Sequence, residues 1–271
     1  MRVRPLLTAL GLNAIPAAGW FFAEWSAGTT LVVYWLETLI GSMLVGIRIL
    51  LHRRVRPSQG HWHYQAPKSH EHKPQAAHGS SSYLSAFLVP ALVFTFAHGI
   101  FLAAFGFIVF SKSVSPETKI DGGSVLAGLI GILVFQLADF LMDLIWLRTR
   151  PFRWIERLGE INLGRVIVIQ LTIIGGMAAV IFTGADRHFF GVFIFLKTML
   201  NMSLILPQYN PKTPPAWLSN LMDRIKPSKE DGTFTEFWQK TDEHEEARVA
   251  RNESVMRPPA SLCEALRAGD A

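Results

Sequence analysis

Residues 29–54 read TTLVVYWLETLIGSMLVGIRILLHRR, and this stretch decides the class of fold. Residues 29–51 are apolar and long enough to cross a bilayer, which takes about 20 helical residues at about 1.5 Å each. A basic cluster, His52, Arg53, Arg54 and Arg56, closes the run. Arg48, a turn inside that end, reads as a side chain that snorkels to the same surface. Glu37 lies two turns inside the other end. A charge there costs about 2.5 kcal/mol or more in hydrocarbon, so it calls for a partner or a wet cavity.

The pattern recurs along the chain at 5–25, 83–110, 124–147, 166–182 and 189–206. The expected fold is all-α: a polytopic transmembrane bundle of six helices over residues 1–206, then a mostly polar, partly helical tail over 207–271. Only 17% of residues are charged, against about 25% in a soluble domain. The net charge of +5 does not point to nucleic acid, because most basic residues flank apolar spans, where they set topology and meet headgroups. The single cysteine, Cys263, excludes an intrachain disulfide, and no cysteine-based zinc spacing exists.

The first span is interrupted by Asn13 and Pro16, with Trp20 and Trp25 expected as interfacial anchors. Its basic start and Ala17-Ala18-Gly19 also fit a secretory signal, but the apolar run continues through Phe21 and Phe22, which favours an uncleaved span. In the second span Ser42 and Gly46 have small-xxx-small spacing. Residues 52–82 form a polar loop that reads as flexible and holds six of the nine histidines. Within it His61, His63, His70 and His72 are weak candidates for a transition metal, with imidazoles but no preset geometry. No cofactor is otherwise indicated. The loop from Arg148 to Arg165, with Arg148, Arg150, Arg153 and Arg157 among Phe152, Trp154, Ile155 and Leu158, suits a short helix on an anionic headgroup surface. In the tail, Thr233 with Glu236 is a capping box opening a charged helix, and Ser261 with Glu264 marks a shorter one.

Six spans place the N-terminus, the His-rich loop, the 148–165 loop and the tail on one side, and these are the basic segments. Both termini are therefore expected in the cytoplasm of a cell-membrane protein. That topology assigns depths. Glu37 and Lys197 each fall about 12 Å from the outer surface and are expected to pair, since opposite charges in a low dielectric must be matched. His98 falls near the centre, then Gln136 and Asp139, then Asp143, with Asn201 near the level of Asp139. Asp139 and Asp143, four apart, share a helix face. Asp143 is expected to reach water or Arg148.

Titratable groups at successive depths suit a transport or permeation path for protons, a small cation or a solute. Glu37, His98 and Asp139 also have the chemistry of an intramembrane metal or acid–base enzyme. A non-catalytic scaffold needs them only as interhelical glue. Neither Gly-x-Ser-x-Gly nor His-Glu-x-x-His is present.

Tyr34-Trp35-Leu36-Glu37 before a basic span end, His98-Gly99 in the third span and Lys197-Thr198 in the last resemble an uncharacterised prokaryotic family of multi-pass membrane proteins, domain of unknown function number 6498. The resemblance covers residues 7–206 and not the tail. It implies that Glu37, His98 and Lys197 are family landmarks, and it brings no activity. Where members often carry an acid four positions after the lysine, this chain has Asn201. The cytoplasmic His-rich loop is similar to that of cation diffusion facilitators, but the paired His-xxx-Asp motifs of those transporters are absent.

Overall fold

The computed structural model describes residues 3–67, 82–111, 120–183, 191, 194, 195, 197–200, 202, 203, 211–225 and 233–255. These form an all-α chain. Five long helices come first: α1 (Val3–Phe22), α2 (Ala27–Val55), α3 (Tyr83–Ser111), α4 (Gly122–Trp146) and α5 (Phe152–Thr183). Two tail helices follow, Ala216–Ile225 and Phe234–Glu253, and the described residues among 191–203 are helical. Three helices are long and apolar enough to cross a membrane: Ala27–Val55, Tyr83–Ala104 and Gly122–Thr149.

The stretch quoted at the outset is the hub. α2 packs against α1, α3, α4 and α5. Ser26 caps it, accepting a hydrogen bond from Thr29 N at 3.0 Å and so satisfying one of the amides left free at a helix start. On one flank Val45 and Ile49 pack with Tyr83, Phe87 and Ala91 of α3 and with Phe152 and Ile155 of α5. On the other, Leu31 and Tyr34 meet Trp20 and Ile194, while Val33 and Trp25 meet Leu12 and Ile132.

α4 turns its apolar side outward. Leu126, Ile130, Val134, Leu137, Leu141 and Ile145 are all exposed and recur every three or four residues, so they share one helix face. Gly128, Ile132, Gln136 and Asp143 line the opposite, buried face. That inverts the arrangement of a water-soluble helix and leaves an apolar surface that demands a cover.

Several expectations change. Trp20 and Trp25 are buried, not interfacial. Glu24 adopts a positive φ of 52°, and Trp25 folds back so that its amide donates to the Gly19 carbonyl at 2.9 Å. A Cβ at Gly19 or Gly128 would collide with the Trp25 ring, so both glycines serve its close approach. The separate surface helix over 148–165 is instead the start of α5, which runs unbroken for 32 residues, because no proline interrupts it after Pro151. Phe152, Ile155 and Glu156 are buried in it, while Arg148 and Arg157 stay exposed.

The start of the His-rich loop is packed rather than solvated. Residues 59–61 form a short 3-10 turn, and Ser58 bridges Val255. The Phe234–Glu253 helix, capped by Thr233 as the capping box implied, lies against this loop and α5. Arg248 binds Glu156 and the Gln65 carbonyl, Asn252 Nδ2 donates to Gln65 O at 3.0 Å, and Arg56 pairs with Glu253 at 2.7 Å. The nearest physical reason is Glu156, 1% exposed, which requires a cation beside it. Residues 68–81, with His70, His72 and His78, and residues 256–271, with Ser261, Cys263 and Glu264, lie outside the described residues.

His52 and His61 are both buried and hydrogen-bonded to each other at 2.9 Å. His52 Nε2 donates to the Arg150 carbonyl at 3.0 Å, which leaves its Nδ1 to accept from His61 Nε2–H. Burial, then the neighbouring His52 and Arg53, push the His61 pKa down to about 3. The released loop, with an ordinary pKa of about 6.5, binds the proton more readily. The packing is therefore fully stable above about pH 6.5 and loses stability as pH falls from there toward 3. Hydrogen exchange of residues 56–65, corrected for its intrinsic pH dependence, should be faster at about pH 5 than at about pH 7.5. His61→Gln should remove most of that difference; an unchanged profile would contradict this assignment.

Candidate functional site

Glu37 is buried on α2, and Lys197 Nζ lies 3.1 Å from its Oε2. The pair expected from their common depth is formed. Lys197 is 0% exposed, and its ammonium also sits 4.0 Å above the Tyr34 ring centroid, a second favourable contact for a desolvated cation. Gln136 on α4 donates from Nε2 to the Glu37 carbonyl at 3.0 Å. One turn further along α2, Ser42 Oγ donates to Asn162 Oδ1 of α5 at 3.0 Å.

Arg48 does not snorkel. It is 4% exposed and lies between two carboxylates, Nη2 3.1 Å from Asp139 Oδ2 and Nε 3.0 Å from Asp143 Oδ2. Its guanidinium also lies 5.0 Å from the Phe140 ring centroid. Asp143, expected to reach water or Arg148, is instead 4% exposed and pairs with Arg48. The reason is rotational: Arg48 stands 11 residues, about three turns, after Glu37, so both occupy the inward face of α2. Thr8 of α1 reaches Asp139 at 3.5 Å. Arg165, on α5, lies within electrostatic reach of Glu37, Asp139 and Arg48.

The site thus joins α2, α4, α5 and the helical turn at Lys197. Among the described residues Glu37 pairs with Lys197, Arg48 bridges Asp139 and Asp143, and Arg165 adds a positive charge within electrostatic reach of Glu37 and Asp139. His98 makes none of these contacts. It is buried on α3, its ring 6.1 Å from Phe101, and its Nε2 has no hydrogen-bond partner among the described residues. Beside it, Trp35 of α2 lies over Gly99 and donates from Nε1 to the Thr95 carbonyl at 2.9 Å. Asn201 lies outside the described residues.

Sequence reading missed Arg48 as a partner, and it missed Arg165, Asn162 and Gly41 as members. The i, i+4, i+11 spacing of Glu37, Gly41 and Arg48 was the available signal. His61 is buried and His63 exposed, so the two imidazoles diverge. Among the described residues no group of three or more His, Cys, Asp or Glu could hold a metal ion.

An all-α chain with three membrane-length helices and a buried, balanced set of charges defines the class. The chain belongs to a family of unknown function (DUF6498), whose sequence profile matches residues 2–224. The match extends past 206 to include most of the first tail helix, Ala216–Ile225, and stops short of Phe234–Glu253. No curated protein and no solved structure matches the chain.

Removing the cation that serves two carboxylates should be costly. Arg48→Ala should lower stability by about 3–5 kcal/mol by stranding Asp139 and Asp143. Adding Asp139→Asn and Asp143→Asn should recover part of that loss. Thermal unfolding in detergent measures both, and an Arg48→Ala protein as stable as the parent would contradict the bridge.

Proposed function

We propose that this is a six-span cell-membrane protein, with both termini cytoplasmic, that serves transport or permeation along its interior polar groups. The outward apolar face of α4 supports lipid contact, since a surface of that kind is stable in hydrocarbon. Arg148 and Arg157, exposed near the inner end, suit anionic headgroups.

One observation carries the functional reading: polar groups follow one another from Lys197 and Glu37 through Gln136 and Asn162 to Arg48, Asp139 and Asp143. Charged groups inside a bundle are expensive and commonly mark substrate or ion pathways. Each pair is a contact that a solute can exchange for its own hydrogen bonds. His98 makes no hydrogen bond to this row among the described residues and has no assigned role in it. An enzyme would need His98 with Glu37 and Asp139 around one point, and among the described residues His98 Nε2 has no hydrogen-bond partner.

The test is flux into vesicles carrying the purified protein, with protons, potassium, urea and glycerol as probes. At least one should enter faster than in protein-free vesicles, and Glu37→Gln should slow it by about tenfold or more, the effect of losing at least one charge-assisted contact. If no probe moves faster than in protein-free vesicles, and Glu37→Gln and Asp139→Asn change only thermal stability, the groups are structural glue and the protein is a scaffold.

A further inference from the structure

The first tail helix, Ala216–Ile225, is two-sided, and its apolar side faces outward. Trp217, Leu221 and Ile225 recur every four residues and are 68%, 44% and 67% exposed. Leu218 and Met222, next to them around the axis, are half-buried, while Ser219, Asn220 and Asp223 make the polar side. No residue of this helix is buried.

The helix is tethered at both ends to one end of the bundle. Phe234 N donates to Asp223 Oδ1 at 2.9 Å, and Trp238 Nε1 donates to the Pro211 carbonyl at 3.2 Å. These bonds join it to the helix Phe234–Glu253. That helix is held in turn by Arg56, just past the basic end of α2, and by Glu156 near the start of α5. In the other direction the helix begins nine residues after Pro207, where the last apolar run closes. At most about 32 Å of extended chain separates the two. The exposed apolar side is thereby confined near the basic end of the membrane-length helices.

Charge identifies what covers it. From Pro207 to Lys229 the chain carries Lys212, Arg224, Lys226 and Lys229 against Asp223 alone. Arg224 is exposed and stands about 20° around the axis from Trp217, at the margin of the apolar side. The helix Phe234–Glu253, by contrast, carries Glu236, Asp242, Glu243 and Glu246, which anionic lipid would repel. An apolar stripe with a tryptophan, bordered by cations, suits a helix lying in the plane of an interface.

We propose that Ala216–Ile225 lies on an anionic lipid surface, with Trp217, Leu221 and Ile225 in the boundary between headgroups and acyl chains and Arg224 against the phosphates. The helix then anchors the tail to the bilayer beside the junction of Arg248 and Glu156. This anchor rests on the membrane placement proposed above and not on transport.

The experiment uses the full-length chain with Cys263→Ser, one chain per nanodisc, and a nitroxide attached through Leu221→Cys, Asn220→Cys or Val134→Cys. All three positions are exposed. The nanodiscs hold phosphatidylcholine alone or mixed with phosphatidylglycerol. Electron paramagnetic resonance measures collision of each label with oxygen, which concentrates in lipid, and with a water-soluble nickel chelate. With phosphatidylglycerol present, the label at 221 should be shielded from nickel and reached by oxygen, as is expected at 134 on the outward face of α4. The label at 220, turned by about 100°, should meet nickel. The ratio of seated to released helix should fall about fivefold in Arg224→Gln, the loss of one cation beside an anionic surface, and should fall further in phosphatidylcholine alone. Nickel access at 221 equal to that at 220 overturns the anchor, and so does a ratio that neither Arg224→Gln nor the neutral lipid changes. Shielding that appears only when two chains share a nanodisc assigns the face to a second copy and overturns it as well. A label at 134 that meets nickel overturns the membrane placement and the anchor with it, whereas lipid at 134 with water at 221 overturns the anchor alone.

Discussion

Glu37, Asp139 and Asp143 lie inside this bundle with Lys197, Arg48 and Arg165 around them, and the requirement that each charge meet its opposite shapes the rest of the fold. In a low-dielectric interior an unmatched charge is far more costly than any single packing contact is favourable. Glu37 therefore ties α2 to a helical turn 160 residues away, and Arg48 ties the same helix to α4. Where lipid surrounds a bundle, apolar packing alone does not fix such registers, because lipid tails solvate leucine as well as a neighbouring helix does. Polar pairs fix them, since sliding a helix by one residue breaks the pair.

The same rule operates at the base of the bundle. Glu156 is buried on α5, and its partner Arg248 comes from the tail helix, outside the region that the family profile covers. The tail is thus held by a carboxylate that its docking shields. Arg248 and Arg153 share Glu245 as well, at 2.7 and 3.2 Å, so the junction is a network and not a single contact. Arg248's hydrogen bonds hold the Glu245 carboxyl below its ordinary range, so their contribution is present above that range and lost on strong acidification.

What the sequence made legible depended on how local the signal was. The apolar runs marked α2, α3 and α4, and counting residues from their ends gave Glu37 and Lys197 a common depth. Depth does not give rotation, however. Arg48 lay close enough to the basic end of its span to read as a surface residue, and only the packing of α4 against α2 shows which way it faces. Trp25 read as an anchor because tryptophan at a span end often is one; the positive φ at Glu24 and the two glycines that receive its ring are tertiary facts. His61 read as part of a soluble loop because composition cannot register the tail helix and Phe152 that bury it.

The central claim is that Glu37 and Lys197 interact directly across the bundle, and a double-mutant cycle tests it most directly. Thermal or denaturant stability in detergent would be compared for Glu37→Gln, Lys197→Met and the double variant. Each single change strands a buried charge, so the account predicts losses of about 3 kcal/mol or more for each, with the double variant more stable than either. Strictly additive losses in the double variant would show that the two side chains do not meet, and the account would fail with them.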